Sequence, residues 1–141
     1  MKTFLMPAEA RWMIVDDNAD ILLMMSAILE NLTCATIECY DTPQSALEAF
    51  KAAPDSYQLV ITDFEMPGMN GIELCRLIRD VAPEQKIFLA TGSGYFTETS
   101  AQQAGFAALL DKPFPISILK KALDKTFGRA PKTTAHELVA A

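Results

Sequence analysis

Hydrophobic positions along this chain change period repeatedly, and the changes mark out alternating strands and helices. "RWMIVD" (11–16) is a short, nearly unbroken apolar run, the pattern of a strand buried on both faces. In "NADILLMMSAILENL", Ile21, Met25, Ile28 and Leu32 recur at helical spacing, and Leu22 and Leu29 widen the stripe. Asn18 or Asp20 caps its start. "ATIECY" (35–40) alternates, with Ile37 and Cys39 on one side and Thr36, Glu38 and Tyr40 on the other, which predicts a half-exposed edge strand. Thr42 as N-cap and Pro43 at the first helical position open a second helix. "QLVITD" and "NGIELCRLIRDV" follow as strand and helix, then "KIFLAT" and a weaker helix, "TETSAQQAG", closed by Gly105. "FAALLD" is a fifth strand, and a last helix carries Ile116, Leu119, Leu123 and Phe127 on one face. Alternating strand and helix units predict an α/β fold with a parallel sheet, because parallel strands need crossover connections.

Composition narrows the class. The chain has 141 residues, half of them hydrophobic, enough for one domain with a full core. Its net charge is -6, and no Lys/Arg stripe appears, which argues against a nucleic-acid surface. No apolar run approaches the ~20 residues of a membrane span, and "MKTFLMPAEA" is too short in apolar length for a signal peptide. A cytoplasmic protein is expected. Cys34, Cys39 and Cys75 lack metal-ligand spacing and are expected to be reduced, mostly buried thiols. The expected organisation is an N-terminal extension (1–10), one domain (11–128) and a flexible tail (129–141). "AHELVAA" in that tail has at most a marginal last turn, and its single histidine, His136, reads as a solvated residue.

The unusual residues fall at strand ends. Asp16 and Asp17 end the first strand, Asp63 the third, Thr91 the fourth and Lys112 the fifth. All lie at the carboxyl edge of the sheet, where open α/β sheets bind ligands. Each alone has an ordinary explanation: a cap or turn former for the acids, a β-former for Thr91, a loop lysine for Lys112. Together they make a different case. Three carboxylates in one cleft repel unless cations join them. Lys112 and a divalent cation balance them, and hard oxygen donors without His or Cys suit Mg²⁺. A carboxylate nucleophile, a metal, a hydroxyl and an ammonium fit phosphoryl transfer onto aspartate.

"MIVDDN", "VITDFEMPGMNGIEL", "FLATG" and "LLDKPF" resemble the receiver domain of two-component response regulators, over roughly residues 11–127. The resemblance is to the single-domain, chemotaxis-regulator-like kind. It implies a doubly wound, five-stranded flavodoxin-like sheet of order 2-1-3-4-5 with helices on both faces. It implies Asp63 as phosphoacceptor, Thr91 and Lys112 as partners of phosphoryl oxygens, and Mg²⁺ held by Asp16, Asp17, Asp63 and the backbone carbonyl of Glu65. A cis peptide bond between Lys112 and Pro113 is expected on the same ground. A histidine kinase or phosphotransfer protein is the implied donor. The protein then acts on itself only and is no enzyme in the ordinary sense; its downstream partner is a protein that reads the last helices and strand. Similar domains carry Tyr or Phe three residues before the lysine, where this chain has Leu109. Gly68 and Gly71, in the turn after the acceptor, are read as supplying backbone angles that other residues resist. "GSG" (92–94) makes the fourth-strand loop easy to move; without a following Walker lysine it is a weak phosphate-loop signal. Glu65 is expected to face solvent and to influence phosphoryl lifetime.

Three rival readings remain at this stage. A haloacid-dehalogenase-like phosphohydrolase also forms an aspartyl phosphate, but places its acid/base Asp two residues after a nucleophile near the first strand; here that offset gives Glu65, at the third. A flavodoxin-like flavin binder is disfavoured by Asp16 and Asp17, which repel a cofactor phosphate. A receiver excised from a hybrid kinase keeps the fold and changes the context, whereas Met1 and the short flanks point to a free-standing protein.

Overall fold

A computed structural model describes residues 9–128 together with residues 4, 6 and 7. The expected tail with His136 lies outside the described residues, as do residues 1–3, 5 and 8. The elements alternate as the hydrophobic periods predict: β1 (Arg11–Val15), α1 (Ala19–Leu32), β2 (Thr36–Tyr40), α2 (Pro43–Ala52), β3 (Tyr57–Thr62), α3 (Gly71–Val81), β4 (Ile87–Thr91), α4 (Glu98–Gln103), β5 (Ala108–Asp111) and α5 (Ile116–Phe127). The strands pair in parallel in the order β2-β1-β3-β4-β5, the doubly wound arrangement expected. After β2 the chain crosses back over β1 to lay down β3. That reversal opens a crevice at the carboxyl ends of β1 and β3.

Period-two alternation sends each strand's side chains to two separate cores. Trp12, Ile14, Leu59, Ile61, Phe88, Ala90 and Leu110 pack with α1 and α5. Met13, Val15, Val60, Ile87 and Leu89 pack with α2, α3 and α4. Both faces of the central strands are therefore covered, which is why "RWMIV" and "LVIT" read as unbroken apolar runs.

Local signals set the helix starts. Asn18 caps α1, its side chain accepting from the N–H groups of Asp20 and Ile21. Thr42 caps α2 with Pro43 behind it. Asn70 and Glu73 form a reciprocal capping box at α3. α4 is shorter than the predicted 97–105, because Thr97 is its cap rather than its first residue and Ala104 already lies beyond its end. Gly105 then takes φ +105°. Among the described helices, none is long and apolar enough to cross a membrane.

Three expectations need correction. The buried stripe of α1 is Leu22, Met25, Leu29 and Leu32, with Ile21 and Ile28 only partly covered. The helix is rotated from the predicted centre, toward Leu22 and Leu29, where it packs on β2 and β1. On α5, Leu119 and Leu123 are buried and Phe127 stacks on Trp12 at 5.6 Å, but Ile116 is 49% exposed, since it lies in the first turn beyond the edge of the sheet. Of the thiols, only Cys75 is buried; Cys34 lies in the turn after α1, and Cys39, on the edge strand, is exposed with its thiol donating to the Leu22 carbonyl of α1 at 3.8 Å. The structure also buries Phe4, which bridges to Thr33, so the segment before β1 contributes to the core.

The edge strand β2 is tied down by a polar cluster at Glu38. Its carboxylate accepts from the hydroxyls of Tyr57 (2.7 Å) and Tyr40 (2.9 Å) and pairs with Arg11 at 3.2 Å. Burial, followed by the bond to Glu38, pushes the Tyr57 hydroxyl well above the ordinary phenol range, so it stays a donor.

Candidate functional site

Register brings the strand-end residues together. Val15 pairs with Thr62, so Asp16 and Asp63 leave the sheet side by side, and the Asp63 N–H donates to the Val15 carbonyl at 2.9 Å. Thr91 pairs with Asp111, and the Lys112 N–H donates to the Thr91 carbonyl at 2.9 Å. The Lys112–Pro113 peptide bond is cis, as expected.

One carboxylate oxygen from each of Asp16, Asp17 and Asp63 lies within 4.8 Å of the others. Asp16 is buried and Asp17 exposed, so the group is closed toward the core and open to solvent. Lys112 reaches into it. Its Nζ donates to Asp16 Oδ2 at 2.6 Å and stands 3.5 Å from Asp63 Oδ1. The remaining Asp16 oxygen accepts the Asn18 N–H at 2.9 Å, which fixes the carboxylate at the start of α1. The Phe64 N–H donates to Asp63 Oδ1 at 2.8 Å. Burial, the largest effect, raises the Asp63 carboxyl above its ordinary value; Lys112 pulls it down and Asp16 pushes it up.

The donor set fits a hard divalent cation. One ammonium beside three carboxylates leaves negative charge uncompensated in a half-closed cleft, and all three acids offer oxygen. Glu65 is exposed, as expected, and its side chain is outside this group.

Thr91 is buried at the rim, but its hydroxyl is engaged within its own loop. It lies 3.3 Å from Ser93 Oγ and accepts the Ser93 N–H at 3.2 Å. Gly71 backs Asp63 from behind. Its N–H donates to the Phe64 carbonyl at 2.8 Å, and a Cβ at this position would lie 2.4 Å from the Asp63 carbonyl oxygen. Space, not backbone angle, demands glycine there; Gly68, at φ +87°, is the one that supplies an angle.

Sequence reasoning missed one feature of the site. Phe64 packs edge-on against Phe96 (5.0 Å between ring centres) and Tyr95 (6.2 Å), joining the loop after β3 to the loop after β4. The available signal was an aromatic directly after the acceptor and two more after "GSG".

Comparison with known proteins agrees with this geometry. A family profile described as response regulator receiver domain matches residues 12–124. The chemotaxis protein CheY-3 of Vibrio cholerae is 31% identical over 120 residues, which cover 83% of this chain and 91% of that one. A putative two-component response regulator of Arabidopsis thaliana, ARR13, is 32% identical over 126 residues, 86% of this chain but only 22% of that longer protein. A receiver domain protein from Clostridium thermocellum superposes with a TM-score of 0.76 at 25% identity, covering 84% of this chain and 94% of that one.

Proposed function

Because this chain belongs to the response regulator receiver domain family, we propose that it accepts a phosphoryl group on Asp63 from phosphohistidine on a histidine kinase or phosphotransfer protein. The observation that carries this reading is the meeting of Asp16, Asp17 and Asp63 within 4.8 Å, with Lys112 among them.

The chain's own groups have distinct tasks. The Phe64 N–H and Lys112 hold Asp63 Oδ1, which leaves Oδ2 as the attacking atom. A bond forms from Oδ2 to phosphorus as the phosphorus–nitrogen bond breaks, and the imidazole leaves. Lys112 stabilises charge on the equatorial oxygens, and Thr91 turns from Ser93 to donate to another. Asp16, Asp17, Asp63 and the Glu65 backbone carbonyl would hold Mg²⁺, which when bound neutralises carboxylate and phosphoryl charge. Asp16, held by Asn18 and Lys112, is the rigid member of that set. Residues 11–128 form the receiver unit. It acts once on itself rather than turning over a substrate, and it works in the cytoplasm, where its donor presents phosphohistidine.

Phosphotransfer from a phosphorylated histidine kinase tests the reading. Label is expected to reach about one phosphoryl group per chain with Mg²⁺, and none with a chelator or in Asp63→Asn. Continued turnover of a small phosphate ester would replace it with a phosphohydrolase.

A further inference from the structure

In a receiver whose β5 position 109 is leucine, the route by which an acceptor event reaches α4 must differ from an aromatic side chain turning at that position. Leu109 packs with the α2–α3–α4 core and carries no polar group. Two other connections to the reacting atoms are present, and they end on the same three rings.

The first starts at Asp63. The backbone N–H of Phe64 donates to Asp63 Oδ1 at 2.8 Å, so any rearrangement of that carboxylate moves Phe64. The second starts at Thr91. Its hydroxyl contacts Ser93 Oγ at 3.3 Å, and that oxygen accepts the Tyr95 N–H at 3.3 Å. If Thr91 turns toward a phosphoryl group, Ser93 loses its partner and the hold on Tyr95 loosens. Gly94, at φ +72° with nothing within 4 Å of where a Cβ would sit, separates Ser93 from Tyr95. Phe64, Tyr95 and Phe96 meet edge-on, at 6.2, 5.0 and 6.3 Å. Thr97 follows immediately as the N-cap of α4.

We propose that Phe64, Tyr95 and Phe96 form the conformational readout of this protein: phosphorylation releases Thr91 from Ser93, the three rings repack, and the start of α4 moves with them. This rests on Asp63 being the phosphoacceptor. Tyr95 is 78% exposed, so it is also the ring a partner meets first. Edge-to-face ring pairs are individually weak, so they bias two loop arrangements without locking either.

Amide hydrogen exchange, with and without acetyl phosphate and Mg²⁺, tests this while mass measurement follows the extent of phosphorylation. In the unaltered protein, exchange across residues 92–103 is expected to change roughly tenfold, within the usual range of coupling between sites. Tyr95→Ala removes an exposed ring, and Phe96→Leu keeps an apolar side chain where the half-covered Phe96 packs against the core. Both are expected to take up label to the same extent while losing the exchange change at 98–103. Leu109→Met is expected to keep it. If both ring variants are labelled and still show the full change, or if only Leu109→Met loses it, the readout lies elsewhere and the proposal fails alone. Absence of label in the unaltered protein would remove the phosphoacceptor reading and this proposal with it.

Discussion

Gly71 shapes the acceptor without a side chain. A methyl group there would press on the Asp63 carbonyl at 2.4 Å, so the backbone of α3 or of the acceptor must move. Gly71→Ala is expected to destabilise the fold by about 1–3 kcal/mol, the usual range for overpacking, and to slow labelling of Asp63; urea unfolding and label uptake measure the two effects. Asp63 itself trades stability for position. Its carboxyl is raised mainly by burial, so the folded protein binds that proton more tightly than the unfolded chain does. The associated stability is present at low pH and lost as pH rises through the raised value. With metal chelated, Asp63→Asn is therefore expected to melt higher than the unaltered protein at pH 7. The advantage should shrink as pH falls through the raised value and be gone below about pH 4, the ordinary carboxylate range; an advantage that grew on acidification would contradict the assignment. At this scale the sequence displayed Asp16, Asp17, Asp63, Thr91 and Lys112 as residue types at strand ends. It did not display that Lys112 rests on Asp16 more closely than on Asp63, or that Thr91 is bonded to Ser93, because side-chain choices among several partners depend on distances that no pattern encodes.

Elements were legible where their period was clean and blurred where two neighbours shared a surface. The continuous apolar runs of β1 and β3 and the caps Asn18 and Thr42 appear where the pattern puts them. The face of α1 was placed less well, since helical spacing names a stripe but the strands it packs on, β2 and β1, decide its centre. The edge strand β2 alternates as predicted, yet the tether holding it is spread over residues 11, 38, 40 and 57, too far apart for local periodicity to reveal. Glu38→Ala leaves the Tyr57 hydroxyl without this acceptor near the core. A loss of about 1–2 kcal/mol is expected from the two tyrosine bonds, read from denaturant unfolding. Labelling of Asp63 should change little, because Glu38 itself pairs with Met13, short of the strand end, and Tyr40 meets the acid group only through its backbone carbonyl, which accepts the Asp16 N–H at 3.1 Å. A larger effect on labelling than on stability would mean that β2 is coupled to the site.

The whole molecule gathers four strand ends at one polar site, and topology is what does it. The chain's return from β2 across β1 to β3 sets Asp16 and Asp63 on adjacent strands, although they are far apart in sequence. β4 and β5 then bring Thr91 and Lys112 to the same edge. Alternating periods and strand-end chemistry made this arrangement readable as a class, while the aromatic link between the β3 and β4 loops needed coordinates, since it forms across two turns. The most direct test is chemical mapping of the acceptor. The protein is treated with acetyl phosphate and Mg²⁺, reduced with borohydride, which converts an aspartyl phosphate to homoserine, and digested for mass analysis. Homoserine at position 63 alone, dependent on Mg²⁺, is the predicted result; modification at another carboxylate, or an equal yield of label in Asp63→Asn, would contradict it.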